Sequence, residues 1–228
     1  MGTSTLIEVD GVHLLATAAH VIDQSETFNL SIGSERESVP LRGTFYRTSS
    51  GNEGSQDHFD FAICRVSDEF RNSLGDVPFI PMDRISRARW GSGGHRMYAA
   101  YGYPNSKNKD IHMGARQASV RALLHLSSGQ SKAPALGEWA ARTDSHIFLG
   151  TNKYLVGSEG QKRNATGLVG MSGGAVFYLG DFSSLEELRD SHRPLLEAML
   201  IRQDFADRKI IAVNFAKIID AARRHALI

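Results

Sequence analysis

One cysteine, Cys64, stands in 228 residues, so no intrachain disulfide can form. That excludes the cross-linked scaffold on which many secreted proteins rely. No run of about 18 apolar residues occurs, and nothing reads as a membrane-crossing helix. The opening Met1-Gly2-Thr3-Ser4-Thr5 has neither a basic nor an apolar region of the kind a secretory signal needs. These absences point to a soluble, cytoplasmic protein. Neither sign of charge is in excess: 26 Lys and Arg against 25 Asp and Glu give a formal net charge of +1. No long-range field therefore draws the chain to nucleic acid or to an anionic membrane. The spacings HExxH and CxxC are missing, and His13, His95, His112 and His125 have no partner at ligand spacing. Neither a metal nor another cofactor is expected.

What the chain has is apolar content of 41%, enough for one large domain or two small barrels of about 100 residues each. Short apolar stretches separated by Gly, Asn, Asp and Ser recur along it, the pattern of an all-β barrel or sandwich. Candidate strands lie at 5–9, 12–16, 27–32, 39–47 and 59–66, with a polar loop over 47–58. A second set lies at 96–103, 111–126, 146–154, 174–179, 196–203 and 209–213. Between the sets, Val77-Pro78-Phe79-Ile80-Pro81 and the basic stretch Arg84–Arg89 suggest a linker over 81–95. The chain thus divides into a first barrel over 1–80, a second over 96–213 and a closing segment over 214–228. Two helices are expected. One starts at the capping box Ser184-Leu185-Glu186-Glu187 and runs to about Asp190. The other covers 215–225, where Phe215, Ile218, Ile219 and Ala222 share one face.

Three segments carry residues suited to chemistry: Thr17-Ala18-Ala19-His20-Val21, Asp60-Phe61-Ala62-Ile63 and Gly170-Met171-Ser172-Gly173-Gly174-Ala175. A serine hydroxyl is a poor nucleophile at neutral pH and needs a base within hydrogen-bond reach. Histidine suits that task because it titrates near neutrality. A buried carboxylate on the other ring nitrogen fixes the tautomer and stabilises the imidazolium. Ser172, His20 and Asp60 fit these roles. Asp57, three residues earlier, is a rival to Asp60 but lies in the polar loop. Gly170 can take a positive φ that a side chain would resist, turning the amides of Gly170 and Ser172 toward one point, an oxyanion hole. Each residue alone has a plainer reading: a packed histidine, a turn aspartate, a glycine-rich hairpin. Gly-x-Ser-x-Gly also fits the elbow of an α/β-hydrolase, but that fold expects the order Ser, Asp, His among alternating strands and helices.

The order His, Asp, Ser and the flanks of each residue resemble the trypsin-like (chymotrypsin-fold) serine peptidases. The segment Tyr98-Ala99-Ala100-Tyr101-Gly102-Tyr103-Pro104 is similar to the start of the second barrel in bacterial, glutamyl-endopeptidase-like members. The resemblance implies two six-stranded antiparallel Greek-key barrels and a C-terminal helix. Because the chain begins almost on the glycine-led segment, the first barrel is expected to lack a strand and to expose an edge. The implied activity is cleavage of a protein or peptide substrate through an acyl-enzyme. The implied substrate-binding residues are Thr166, six before the serine, and the edge strand Ile201-Arg202-Gln203, where digestive members have Ser-Trp-Gly. Thr166 cannot neutralise a basic P1 side chain, so a neutral P1 residue, small or apolar, is expected. Met171 stands where digestive members carry the aspartate that pairs with a freed N-terminus. The site is then either preformed or completed by an activating or sensor partner protein. A catalytically silent binding module on the same scaffold is the alternative, to be separated by the geometry around Ser172 and Gly170.

Overall fold

Strands β1 (Ser4–Val9) and β2 (Val12–Ala18) form an antiparallel hairpin through Asp10-Gly11. Both turn residues have positive φ, +52° and +78°, the two-residue turn whose twist matches that of its strands. A computed structural model describes residues 2–23, 31–33, 38–41, 43–48, 58–86, 96–108, 121–128, 145–151, 154–156, 162–164, 167–181, 192–205 and 208–228. Around the hairpin a five-stranded sheet runs in the order β5 (Tyr46–Arg47), β6 (Phe61–Arg65), β2, β1, β7 (Ile80–Pro81). A separate hairpin joins β3 (Ser31–Gly33) to β4 (Ser38–Pro40). Two short helices belong to this half, α1 (Ala19–Asp23) and α2 (Asp68–Ser73). The Ser67 hydroxyl caps α2 by accepting from the Phe70 amide.

The second half contains β8 (Arg96–Gly102), β9 (Leu123–Ser128), β10 (His146–Gly150), β13 (Ala175–Asp181), β14 (Leu195–Asp204) and β15 (Lys209–Asn214). These form one antiparallel sheet in the order β10, β15, β14, β13, β8, β9. Its two ends meet: the Gly150 carbonyl lies 3.2 Å from His125 Nε2 and accepts from the Ser127 hydroxyl at 3.4 Å. The sheet thereby curls into a barrel. A small outlying hairpin pairs β11 (Tyr154–Val156) with β12 (Lys162–Asn164), and α3 (Phe215–Arg224) closes the chain. The architecture is two-barrel and chymotrypsin-like, as expected from the sequence. It ends the α/β-hydrolase alternative, which requires a parallel sheet.

Apolar side chains sort into three layers. Leu6, Leu15, Val39, Cys64, Phe70 and Leu74 fill the first barrel. Tyr98, Ile147, Leu149, Val176, Leu200 and Ile210 fill the second. Between them lies the largest cluster, where Ile7, Leu14 and Phe61 meet Phe148, Met199 and Val213, joined by Phe215 and Ile218 of α3. Strand β6 is buried on both faces over Phe61–Cys64, so it reads as a nearly continuous apolar run.

Several expectations are corrected. The strand expected over 39–47 is two pieces, because Pro40 removes a donor and Gly43 adopts φ +139°. The first barrel's main sheet has five strands, and at one end of it β7 pairs with β1 in parallel through Ile7 and Ile80. Among the described residues this is the one parallel pairing of named strands, and the isolated Ile85–Leu196 bridge is parallel too. Residues 82–86, read as linker, are docked on the second barrel: Arg84 Nη2 donates to the Pro194 carbonyl at 2.9 Å and the Ser86 amide to Leu196 O at 2.8 Å. The helix expected over 184–190 and the part 111–120 of the strand expected over 111–126 lie outside the described residues. Among the described residues no helix is long and apolar enough to cross a membrane.

One charged pair is sealed in the second barrel. Glu197 is the extra residue at a bulge where β14 shifts register against β13. It is fully buried, and its Oε2 lies 3.2 Å from Arg96 Nη2. The Arg96 guanidinium in turn lies 4.4 Å over the Tyr178 ring. Burial pushes the Glu197 carboxyl above its ordinary value, and Arg96 opposes that rise. Removing one partner would leave a buried charge uncompensated. Glu197→Leu should therefore cost about 3–5 kcal/mol, and Glu197→Leu with Arg96→Met should recover most of it. Urea unfolding of both variants measures the difference.

Candidate active site

His20 stands in the first turn of α1, just after β2, where the small residues Ala18 and Ala19 let the chain bend sharply. Asp60 sits immediately before β6, the strand that pairs with β2. This pairing brings the two residues together. The Asp60 carbonyl accepts from the Ala19 amide at 3.0 Å, and its Oδ1 accepts from the His20 amide at 3.0 Å. Oδ2 lies 2.7 Å from His20 Nδ1. The carboxylate can only accept, so Nδ1 carries the proton and Nε2 is left with its lone pair. The Asp60 side chain is 6% exposed and that of His20 46% exposed. The carboxylate is therefore shielded while the ring it orients reaches solvent.

Ser172 lies in the turn that leads into β13. Gly170 has φ +96° and Gly173 φ +90°, both in the region that favours glycine. A side chain at Gly170 would meet Asn105 Oδ1 at 2.2 Å, and one at Gly173 would meet the Thr3 carbonyl at 1.8 Å. The loop's hydrogen bonds alternate between the barrels. Its carbonyls turn to β1 and the residue before it: Gly170 O accepts from the Thr3 hydroxyl (3.0 Å), Ser172 O from the Thr3 amide (2.8 Å) and Gly173 O from the Thr5 hydroxyl (2.9 Å). Its bonded amides turn the other way, Met171 to Leu168 O, Gly173 to Leu200 O and Gly174 to Met171 O.

Two amides in Gly170–Gly174 remain unbonded among the described residues, those of Gly170 and Ser172. Their orientation is fixed all the same. Val169 O accepts from the Asn105 amide at 2.7 Å and Met171 O from the Gly174 amide at 2.8 Å. In a trans peptide the N–H points opposite to its carbonyl, and no cis bond occurs among the described residues. Pinning those two carbonyls turns the Gly170 and Ser172 amides away from Asn105 and Gly174.

His20, Asp60, Gly170 and Ser172 all line one cleft of about 740 Å³ between the barrels. The expected edge residues Ile201, Arg202 and Gln203 line it too, from β14. Beyond Met199 the pairing passes from β13 to the serine loop, where Leu200 bonds Gly173 and Gly174. The Ile201 side chain, however, is buried in the inter-barrel core. Thr166 lies outside the described residues. Met171 is anchored in the second-barrel core. Cys64 is no rival nucleophile: burial pushes its thiol up to about 12, so it stays protonated at neutral pH. Among the described residues no group of three His, Cys, Asp or Glu is placed to hold a metal ion.

Sequence reasoning missed Thr3, Asn105 and two features of the cleft wall. An Asp23–Arg47 ion pair lies on the first-barrel side, and Val169 and Phe205 stand 57% and 67% exposed at the rim. The alternation of Thr3 and Thr5 on one face of an apolar strand was the only available sign of the first.

Residues 2–181 match the family model of the trypsin-like peptidase domain. Among solved structures, the serine protease domain of the Sesbania mosaic virus polyprotein is similar at 15% identity and a TM-score of 0.51, covering 96% of this chain and 84% of that one. A Glu endopeptidase in complex with MPD is similar at 12% identity and a TM-score of 0.48, covering 96% and 89%. No curated protein matches the chain in sequence.

The Thr3 hydroxyl is saturated, donating to Gly170 O and accepting from the Tyr103 amide at 3.1 Å. Thr3→Val keeps the shape but leaves two polar backbone groups unpaired, at about 1–3 kcal/mol each. The urea midpoint should fall accordingly, whereas Thr3→Ser should stay close to wild type.

Proposed function

The chain belongs to the trypsin-like peptidase domain family and is a serine endopeptidase; on that premise we propose that Ser172, His20 and Asp60 form its catalytic triad. Ser172 Oγ attacks the scissile carbonyl while His20 Nε2 takes its proton. Asp60 holds the imidazole in the tautomer that leaves Nε2 free and stabilises the imidazolium that forms. The Gly170 and Ser172 amides receive the oxyanion. His20 then gives its proton to the leaving amine, and water releases the acyl group by the same route in reverse. One observation carries this reading above the others. Within the serine loop, every amide but two is bonded, and those two flank the nucleophile with their orientation set by pinned carbonyls. A silent module would be supported by the opposite arrangement, with the Gly170 amide turned back into the protein.

The Ile201–Gln203 segment of β14, which lines the cleft, suits an extended substrate strand lying beside it. The cleft beside Ser172 is walled by Leu168, Val169, Leu200 and Ile210, which supports an apolar P1 residue. Met171 in the core and the loop tied to β1 support a site that is already assembled. Restraint then acts through access to the cleft, and a sensor partner that covers or uncovers it in the cytoplasm is consistent with this arrangement.

A fluorophosphonate should label wild type and not Ser172→Ala. The same variant should lose on the order of 10⁶ in kcat, and Asp60→Asn about 10⁴ through the wrong tautomer. Cleavage of an unfolded protein, read by new N-termini, should follow apolar residues. Folded wild type that neither labels nor cleaves, alone or with partners, would overturn the proposal.

A further inference from the structure

Asp60 holds a backbone conformation that side-chain-bearing residues rarely adopt, φ +39°. Such a conformation is costly and persists only where the surroundings determine it. Direct bonds from the first barrel do part of this, through the Ala19 and His20 amides and the His20 ring. No second-barrel group bonds to the carboxylate among the described residues.

The second barrel nevertheless grips the turn that carries Asp60. His146, the first residue of β10, is 0% exposed. Its Nε2 lies 2.7 Å from the His58 carbonyl, two residues before Asp60. A carbonyl only accepts, so Nε2 holds the proton, and Nδ1 takes the Ser145 hydroxyl at 3.0 Å. The Phe59 ring tilts against the imidazole at 5.4 Å, and Phe148 stacks on it at 6.3 Å. Ser145 is anchored in turn, its carbonyl accepting from the amide of Asn214, the residue that caps α3. A chain of bonded groups thus runs from the start of α3 through Ser145 and His146 to His58 and the Asp60 turn.

We infer that His146 is a positioning residue, a strut from the second barrel that fixes the 58–60 turn and so keeps the Asp60 carboxylate aligned on His20 Nδ1. The inference rests on the triad reading only for its effect on turnover. The alignment itself is a property of the resting protein and can be observed there.

The test compares His146→Phe, which keeps a ring and loses the donor, with His146→Gln, whose amide can still donate to His58 O. Proton NMR of the full-length chain reads the low-field resonance of His20 Nδ1–H in its bond to Asp60, and steady-state kinetics read kcat and KM. The resonance should be lost or moved upfield in His146→Phe and kept in His146→Gln. In His146→Phe kcat should fall about 10–100-fold with little change in KM, the scale of a small misplacement of a catalytic group, and His146→Gln should restore most of it. If His146→Phe does not fold, Ser145→Ala carries the test, since it removes the Nδ1 partner and should shift the resonance in the same direction. A wild-type chain without that resonance, or a folded variant lacking the strut that keeps both resonance and kcat, overturns the inference. Absence of turnover in wild type with the resonance present would instead count against the peptidase mechanism and leave the strut standing.

Discussion

The site depends on one set of bonds, those that tie the start of the first barrel to the carbonyls of the serine loop. Thr3 and Thr5 bind the carbonyls of Gly170, Ser172 and Gly173, and the Thr17 hydroxyl holds the Thr3 carbonyl at 2.7 Å. With those carbonyls committed to the first barrel, the Met171 and Gly174 amides bond within the turn, to Leu168 O and Met171 O, and the Gly173 amide bonds Leu200 O of β14. The loop is therefore clamped peptide by peptide, and only the amides of Gly170 and Ser172 are left over. Replacing either glycine at 170 or 173 would put a side chain into Asn105 or the Thr3 carbonyl. Space and hydrogen bonding impose the same conformation.

The two barrels supply different halves of the chemistry. The first orients a half-exposed imidazole on a buried carboxylate, through the adjacency of β2 and β6. The second supplies, in the proposed mechanism, the serine, the two amides and the cleft-lining segment of β14. The inter-barrel core of Ile7, Phe61, Met199, Val213 and α3 holds the halves in register. An error of about an ångström between them would be felt in the rate, so a rigid apolar interface has a catalytic purpose as well as a structural one.

The segments of the proposed triad stand out in the sequence because each carries its local constraint in its own neighbours: small residues before His20, an apolar strand after Asp60, glycines around Ser172. The strands of the hairpin and of the second barrel were legible for the same reason. What was illegible depends on distant partners. Arg84 looked like part of a solvated basic run, yet its donor meets a carbonyl 110 residues away. Helices α1 and α2 are too short, at 5 and 6 residues, to show a helical period. His146 has no motif around it, and its role exists only because the Asp60 turn lies against β10. The parallel pairing of β7 with β1 leaves no sign in either strand.

The clamp on the serine loop also orders events in time. Thr3 and Gly170 are 167 residues apart in sequence, and a ribosome adding about 5–20 residues per second needs roughly 10–30 s to make that stretch. Throughout that interval the emerging first barrel holds a histidine and an aspartate with nothing to activate. Its early strand keeps threonine groups waiting for carbonyls not yet synthesised. The proposed site therefore cannot assemble until the serine loop has been made and has met the threonines that wait for it.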